Sequence, residues 1–207
     1  MCIKLAVTED YQPDIKTLLK SLICPVKGEI GLEIEVEGNQ FPKPSSYGSM
    51  PVKMGAKLPY WSCVKDGSLR GDDNAEYLLA KPIMFTEVQP AVEQLEKALA
   101  DYGSVLAESN RTSVHVHLNA QGFHLNRLAS FCALYFCFEE VLTEWCGDHR
   151  VGNLFCMRAK DAPAIVTKVI GFIKNNGHFE LSQSLHYSAL NIHALTKLGS
   201  LEVRTLR

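Results

Sequence analysis

Glu33, Glu35 and Glu37 occupy every second position of Gly31-Leu32-Glu33-Ile34-Glu35-Val36-Glu37. Alternate residues of a strand share a face, roughly 7 Å apart. Carboxylates in such a row repel one another when partly buried, and they stay ionised together only around a cation. Hard divalent cations that take oxygen ligands, Mg²⁺ above all, meet that need. His115-Val116-His117 has the same period. It puts two imidazoles on one face, as metal ligands or as donors to phosphate. Glu202-Val203-Arg204 repeats it once more, with an acid beside an Arg. That pair is either a cross-strand ion pair or a metal ligand next to a phosphate clamp. Asp66, in the turn Asp66-Gly67-Ser68, and Glu76, in Ala75-Glu76-Tyr77, are further candidate acids. Taken singly, each of these patterns also fits an exposed strand face or an ordinary turn.

These residues need strands to present them. Residues 30–37 alternate apolar and acidic, which predicts a strand with one apolar face and one acidic face. Further strands are predicted at 60–65, 75–80, 113–118, 185–193 and 199–206. Helical spacing places Ile15, Leu18, Leu19, Leu22 and Ile23 on one face of a helix over 12–23, ended by Cys24-Pro25. A second helix is expected over 87–102, with Thr86 and Gln89 as its capping box. Residues 124–145 are so apolar that this helix is expected deep in the core. A shorter helix is expected over 162–174. Residues 38–59 hold four of the nine prolines and read as a long loop, the expected seat of substrate selectivity. Helices and strands mix without a βαβ rhythm, so the expected class is α+β with a largely antiparallel sheet packed with helices.

The chain has 207 residues, a net charge of −2 and 46% hydrophobic residues. This suits one large domain or a domain with an appendage. The expected division is an N-terminal helical extension over 1–29 and a main domain over 30–207. No basic face points to nucleic acid. No apolar run is long enough for a membrane span, and the start lacks a signal-peptide pattern. Seven scattered cysteines without a CxxC pair read as free thiols. These features together predict a cytoplasmic protein. The oligomeric state is open.

The order of the motifs is more specific than any one of them. Gly31-Leu32-Glu33-Ile34-Glu35 is followed by Trp61…Asp66-Gly67-Ser68-Leu69, then Glu76…Lys81-Pro82 and His115-Val116-His117. An Arg-containing segment, Tyr187-Ser188-Ala189-Leu190-Asn191 and Leu201-Glu202-Val203-Arg204 complete the series. This series resembles the amidoligase family of the glutamine synthetase/glutamate–cysteine ligase superfamily, from about residue 30 onward. The resemblance implies a curved antiparallel sheet forming a funnel, with ATP at one mouth and the other substrates at the other. It implies ATP and Mg²⁺ (or Mn²⁺) as cofactors and amide formation through an acyl phosphate. The partners would be small-molecule, peptide or protein carboxylates and amines.

Residue by residue, Glu33, Glu35, Glu76, His115 and Glu202 match metal ligands of the family. His117 and Arg150 match phosphate contacts, with Arg158 the alternative to Arg150. Arg204 matches the γ-phosphate clamp. Asp66 is similar to the aspartate that receives the amine, and Tyr187 and Asn191 match the family's YxxLN pattern, either lining the substrate site or fixing the fold. Ala80-Lys81-Pro82 departs from the family's serine/threonine-proline ending. The chain ends three residues past Arg204. Many relatives continue with helices there, so this is either a compact form or one lacking a C-terminal segment. Two other readings stay open: a zinc hydrolase built on the HxH pair and the carboxylates, and an inactive ligase-fold binding module.

Overall fold

The computed structural model describes residues 28–71, 73–175 and 186–206. The expected helix over 12–23, most of the proposed N-terminal extension and the start of the 185–193 strand lie outside them.

The strands are β1 (Glu29–Asn39), β2 (Val52–Lys53), β3 (Trp61–Val64), β4 (Asn74–Leu79), β5 (Ile83–Met84), β6 (Val105–Leu106), β7 (Val114–Asn119), β8 (Leu190–Asn191) and β9 (Ser200–Leu206). The helices are α1 (Val88–Tyr102), α2 (Leu125–Trp145), α3 (Ala164–Lys174) and the short α4 (Ala194–Leu198). One open sheet runs β2-β3-β4-β1-β7-β9-β8, with β5 and β6 paired to the two ends of β1. The pairings between these strands are antiparallel. The class is α+β, as the sequence predicts. Among the described residues, no helix is long and apolar enough to cross a membrane.

The alternation along β1 decides how the sheet is used. Ile30, Leu32 and Val36 are buried in one apolar cluster with Trp61, Tyr77 and, from α1, Ala91 and Leu95. Trp61 is a core residue, and its indole N–H donates to the Ala91 carbonyl of α1 at 2.9 Å. A second cluster packs Leu128, Cys132 and Tyr135 of α2 and Ile165 and Val169 of α3 against Leu190 and Leu201. Leu118 of β7 touches both clusters and joins them. Helices therefore cover the apolar face, and the acidic face of β1 is left for other work.

Two helix expectations are corrected. The capping box of Thr86 and Gln89 does not form. Glu87 accepts from the Met84 N–H, and the Gln89 amide donates to Glu93. The long apolar helix is not enclosed by the core. Leu128, Cys132 and Tyr135 of α2 are buried, but Leu134, Phe138, Val141 and Trp145 on its far side are exposed. A helix at the edge of a two-layer fold has only one side to bury.

Glu139 of α2 is the acid on the buried side. Burial pushes its carboxyl up to about 7, against the Ala159 N–H bond and the Arg158 charge that favour the anion. One oxygen accepts that N–H at 2.8 Å, and the other is buried with no hydrogen-bond partner among the described residues. An acid whose pKa is raised on folding favours the fold below its unfolded value, and this contribution is lost as pH climbs toward the folded value. Glu139→Gln keeps the acceptor and removes the charge. Its stability relative to the parent should rise between pH 5 and 8 by on the order of 2 kcal/mol, after allowance for residual screening. Urea denaturation at several pH values measures this, and a pH-independent difference would contradict it.

Candidate active site

Strand register gathers the candidate residues. Glu35 lies opposite Glu76 across β1 and β4, and Glu33 lies opposite His115 across β1 and β7. His117 lies opposite Glu202 across β7 and β9, and Asn191 lies opposite Glu202 across β8 and β9. Residues directly opposite in a ladder share a face. Glu76, Glu35, Glu33, His115, His117 and Glu202 therefore form one polar band across four strands. Gly31 faces His117, and a Cβ there would come within 3.2 Å of the His117 Cβ, so the glycine makes room for the imidazole.

Near Arg204 the register shifts. Val116 pairs with Val203 and Val114 with Leu206, so Arg204 and Thr205 together oppose His115. This is a β-bulge, which re-aims side chains. Thr205 meets the Tyr135 hydroxyl of α2, while Arg204 lines a polar cavity.

The band is tightly bonded. Glu33 meets His115 Nδ1 at 2.9 Å and His117 Nε2 at 3.0 Å. The Ser113 hydroxyl sits between Glu35 and His115 Nε2, at 2.5 and 2.6 Å. Glu202 accepts from Arg204 Nη1 through one oxygen and from the Asn191 amide through the other, each at 2.6 Å. Ligand atoms of Glu33, His117 and Glu202 lie within 4.8 Å of one another, close enough to share one cation.

Two cavities meet at Glu33. One, of about 280 Å³, is lined by Glu33, Glu35, Asp66, Ser68, Glu76, Arg111, His115, Phe155, His186, Tyr187 and Arg204. The other, of about 370 Å³, has more apolar walls, among them Leu32, Leu79, Pro82 and Leu198, with Glu33 and His117 at its polar side.

The acids crowd one another. Burial, and then the charges of Glu33, Asp66 and Glu35, push the Glu76 carboxyl up to about 8. Burial also raises Glu35, against His115 and Ser113. Burial opposes ionisation of Glu33 too, but the hydrogen bonds with both histidines outweigh it and hold its carboxyl well below the usual range. Burial lowers His117, yet its bond to Glu33 prevails and raises it. Burial, followed by the Arg204 charge, lowers His186.

Asp66 reaches the cavity on the turn after β3. The Ser68 N–H and hydroxyl each donate to one of its oxygens at 2.7 Å. Glu37, on the same face of β1 as Glu33 and Glu35, accepts the Arg70 N–H at 2.6 Å and so anchors that turn. Tyr187 lines the cavity and packs edge-on against Phe155, with ring centroids 6.0 Å apart. Asn191 stands behind Glu202.

The structure does not bring Arg150 to either cavity. It is buried, and its guanidinium donates to the carbonyls of Thr112 and Leu206, tying the start of β7 to the end of β9. Arg158 is taken by Asp161 and Glu140. The second guanidinium of the polar cavity belongs to Arg111, which the sequence reading missed. Arg111 donates to the Ser68 carbonyl at 2.7 Å and lies over Phe155 at 5.4 Å. Ser113, Ser68, Phe155 and His186 were missed as well. The signal for one of them was present: Ser113, His115 and His117 continue one period-two series. The 38–59 loop lines neither cavity, so it is not the wall that would select substrates at this site.

A family model described as "putative amidoligase enzyme" matches residues 28–205. No curated protein and no solved structure matches the chain. The match covers the described strands and helices as far as Thr205 and all of the polar band. The chain belongs to the amidoligase family, an enzyme family of ligase type.

Proposed function

We propose that the chain is an ATP-dependent carboxylate–amine ligase that forms an amide through an acyl phosphate. The supporting observation is one cavity walled by four carboxylates and two guanidinium groups, Arg111 and Arg204. A site for neutral substrates has no need of both charges. A site that brings an anionic carboxylate to an anionic polyphosphate needs cations to neutralise them and acids to hold those cations.

The residues fit a divalent cation. Glu33, His117 and Glu202 supply one imidazole and two carboxylates within reach of a common point, with Glu35 and Glu76 beside them on the same face. Mg²⁺ or Mn²⁺ bound there would neutralise phosphate charge and polarise the γ-phosphoryl group. The two cavities meeting at Glu33 suit a two-mouthed site. The apolar one suits a nucleoside, and the polar one suits the reacting groups.

In this reading the substrate carboxylate oxygen bonds to the γ-phosphorus as the bond to the β-phosphate oxygen breaks and ADP leaves. Arg204 stabilises the charge on the transferring phosphoryl group. The amine nitrogen then bonds to the acyl carbon and phosphate departs. Asp66 holds the ammonium form of the amine and takes its proton, while Ser68 fixes the orientation of both Asp66 oxygens. Asn191 and Arg204 together orient Glu202.

Thermal unfolding with Mg²⁺, with Mg²⁺ plus ATP or ADP, and with Zn²⁺ tests the proposal without knowledge of the substrates. A ligand at a hundred times its Kd adds about 2.7 kcal/mol. In a chain of this size that raises the midpoint by roughly 5–10 °C. The expected result is such a rise for Mg²⁺ with nucleotide, well beyond Mg²⁺ alone. A rise with Zn²⁺ only would replace the ligase reading with a hydrolase, because a His–Glu–Glu set also suits zinc. No rise with any of them would leave a binding module.

A further inference from the structure

Asp66 and Arg111 bring opposite charges to the polar cavity, and one residue ties them together. The Ser68 N–H donates to Asp66 Oδ1, and the Ser68 carbonyl accepts from Arg111 Nη1, both at 2.7 Å. The carboxylate and the guanidinium are thus spaced by the N–Cα–C–O frame of a single residue, no more than about 9 Å from oxygen to nitrogen. Both groups keep capacity. A carboxylate has about four lone-pair sites and a guanidinium five N–H groups. Among the described residues Arg111 forms no ion pair, and its one side-chain hydrogen bond is that to Ser68.

The two guanidinium groups of the cavity are anchored differently. Arg204 is bonded to Glu202, inside the polar band. Arg111 is bonded to the turn that carries Asp66. Its own N–H donates to the Ser109 hydroxyl at 3.1 Å, and its guanidinium lies 5.4 Å from the centre of the Phe155 ring. A planar cation held over a ring and by one carbonyl presents its remaining N–H groups in a fixed direction.

We propose that Arg111 selects the amine substrate, and that this amine is a free α-amino acid. The assignment rests on the ligase reading and on Asp66 as the acid that holds the ammonium. A free α-amino acid has the same N–Cα–C–O frame as Ser68. Laid alongside Ser68, it makes the same two bonds, ammonium to Asp66 and carboxylate to Arg111. Ammonia, a simple alkylamine, a lysine side chain and a peptide N-terminus all lack a carboxylate one carbon from the nitrogen. Each leaves Arg111 unpaired, and a site built to hydrogen-bond a missing group rejects such analogues strongly. The product keeps its carboxylate at Arg111 while the nitrogen becomes the new amide.

Calorimetric titration of the full chain with the common amino acids and their C-terminal amides, with and without Mg²⁺ and ADP, tests this. An amide keeps the ammonium and the side chain but loses the carboxylate charge. The expected result is that at least one amino acid binds, and at least tenfold more tightly than its amide. Arg111→Gln keeps a donor for the Ser68 carbonyl and removes the charge. It should erase that preference by weakening the amino acid tenfold or more, with little effect on the amide. Asp66→Asn should weaken both. If no amino acid binds, or if amide and acid bind equally, the proposal is overturned, while a Mg²⁺-dependent ADP signal in the same titrations keeps the ligase reading. An Arg111→Gln variant that loses the ADP signal would make Arg111 a phosphate clamp and overturn the proposal as well. If the parent shows no ADP signal but binds an amino acid through Arg111, the ligase reading falls and the amino-acid site stands.

Discussion

Arg204→Ala is expected to lower the proposed phosphoryl transfer by about a hundredfold to a thousandfold, the usual effect of removing a group that stabilises developing charge. The expectation follows from where the guanidinium is held. One nitrogen is committed to Glu202 at 2.6 Å and another to the Phe155 carbonyl at 3.3 Å, while the group lines the polar cavity. It is thus preorganised and meets incoming negative charge without rearranging. The Ala variant also leaves Glu202 buried without its cation, which costs about 3–5 kcal/mol of stability. Arg204→Lys separates the two effects. It keeps a charge near Glu202, so the melting midpoint should largely recover, but it loses the planar fork, so transfer should stay at least tenfold slow. ADP release at saturating Mg²⁺ and ATP, followed alongside thermal unfolding, measures both. A Lys variant with the full parent rate would reduce Arg204 to a generic positive charge. An Ala variant with that rate would remove it from the chemistry.

The band across the sheet was legible because a strand has a period of two and the motifs kept that period. Glu33, Glu35, His115, His117, Glu202 and Arg204 were singled out from spacing alone, and strand pairing then brought them together. Their order along the chain carried the family. What stayed hidden came from outside the strands. Arg111 precedes β7 on a non-strand segment, where alternation is no guide, and its partner Ser68 is 43 residues away. Arg150 was plausible by type and position, but nothing local says that a guanidinium will be spent on two main-chain carbonyls. The bulge at Arg204 and Thr205 is likewise a property of the pair of strands and not of one. The α2 error has another cause. Mean hydropathy reports how apolar a helix is, not which neighbours cover it. A helix that packs with one side and leaves the other exposed reads the same as a helix inside the core.

Glu33→Gln is expected to weaken divalent-cation binding at least a hundredfold, beyond the 10–100-fold typical of groups that only support a ligand. Two opposing effects decide the size. The substitution removes an anion from the Glu33, His117 and Glu202 set, and a neutral amide oxygen is a poor replacement for a carboxylate around a hard cation. It also frees His117. In the parent, burial lowers the His117 pKa but the bond to Glu33 raises it further, so a proton would compete with the proposed cation for that imidazole. Without Glu33 the proton is held less tightly, and this favours the variant. The relief matters only where His117 would otherwise be protonated, and that competition fades as pH rises. The gap between parent and variant should therefore be wider at pH 8.5 than at pH 7. Titration with Mn²⁺, following the free ion by electron paramagnetic resonance, gives both constants on metal-free protein without any substrate. Equal affinities for parent and variant at both pH values would strike Glu33 from the ligand set. A variant that binds more tightly than the parent at pH 7, with the difference vanishing at pH 8.5, would mean that Glu33 acts on the cation chiefly through His117.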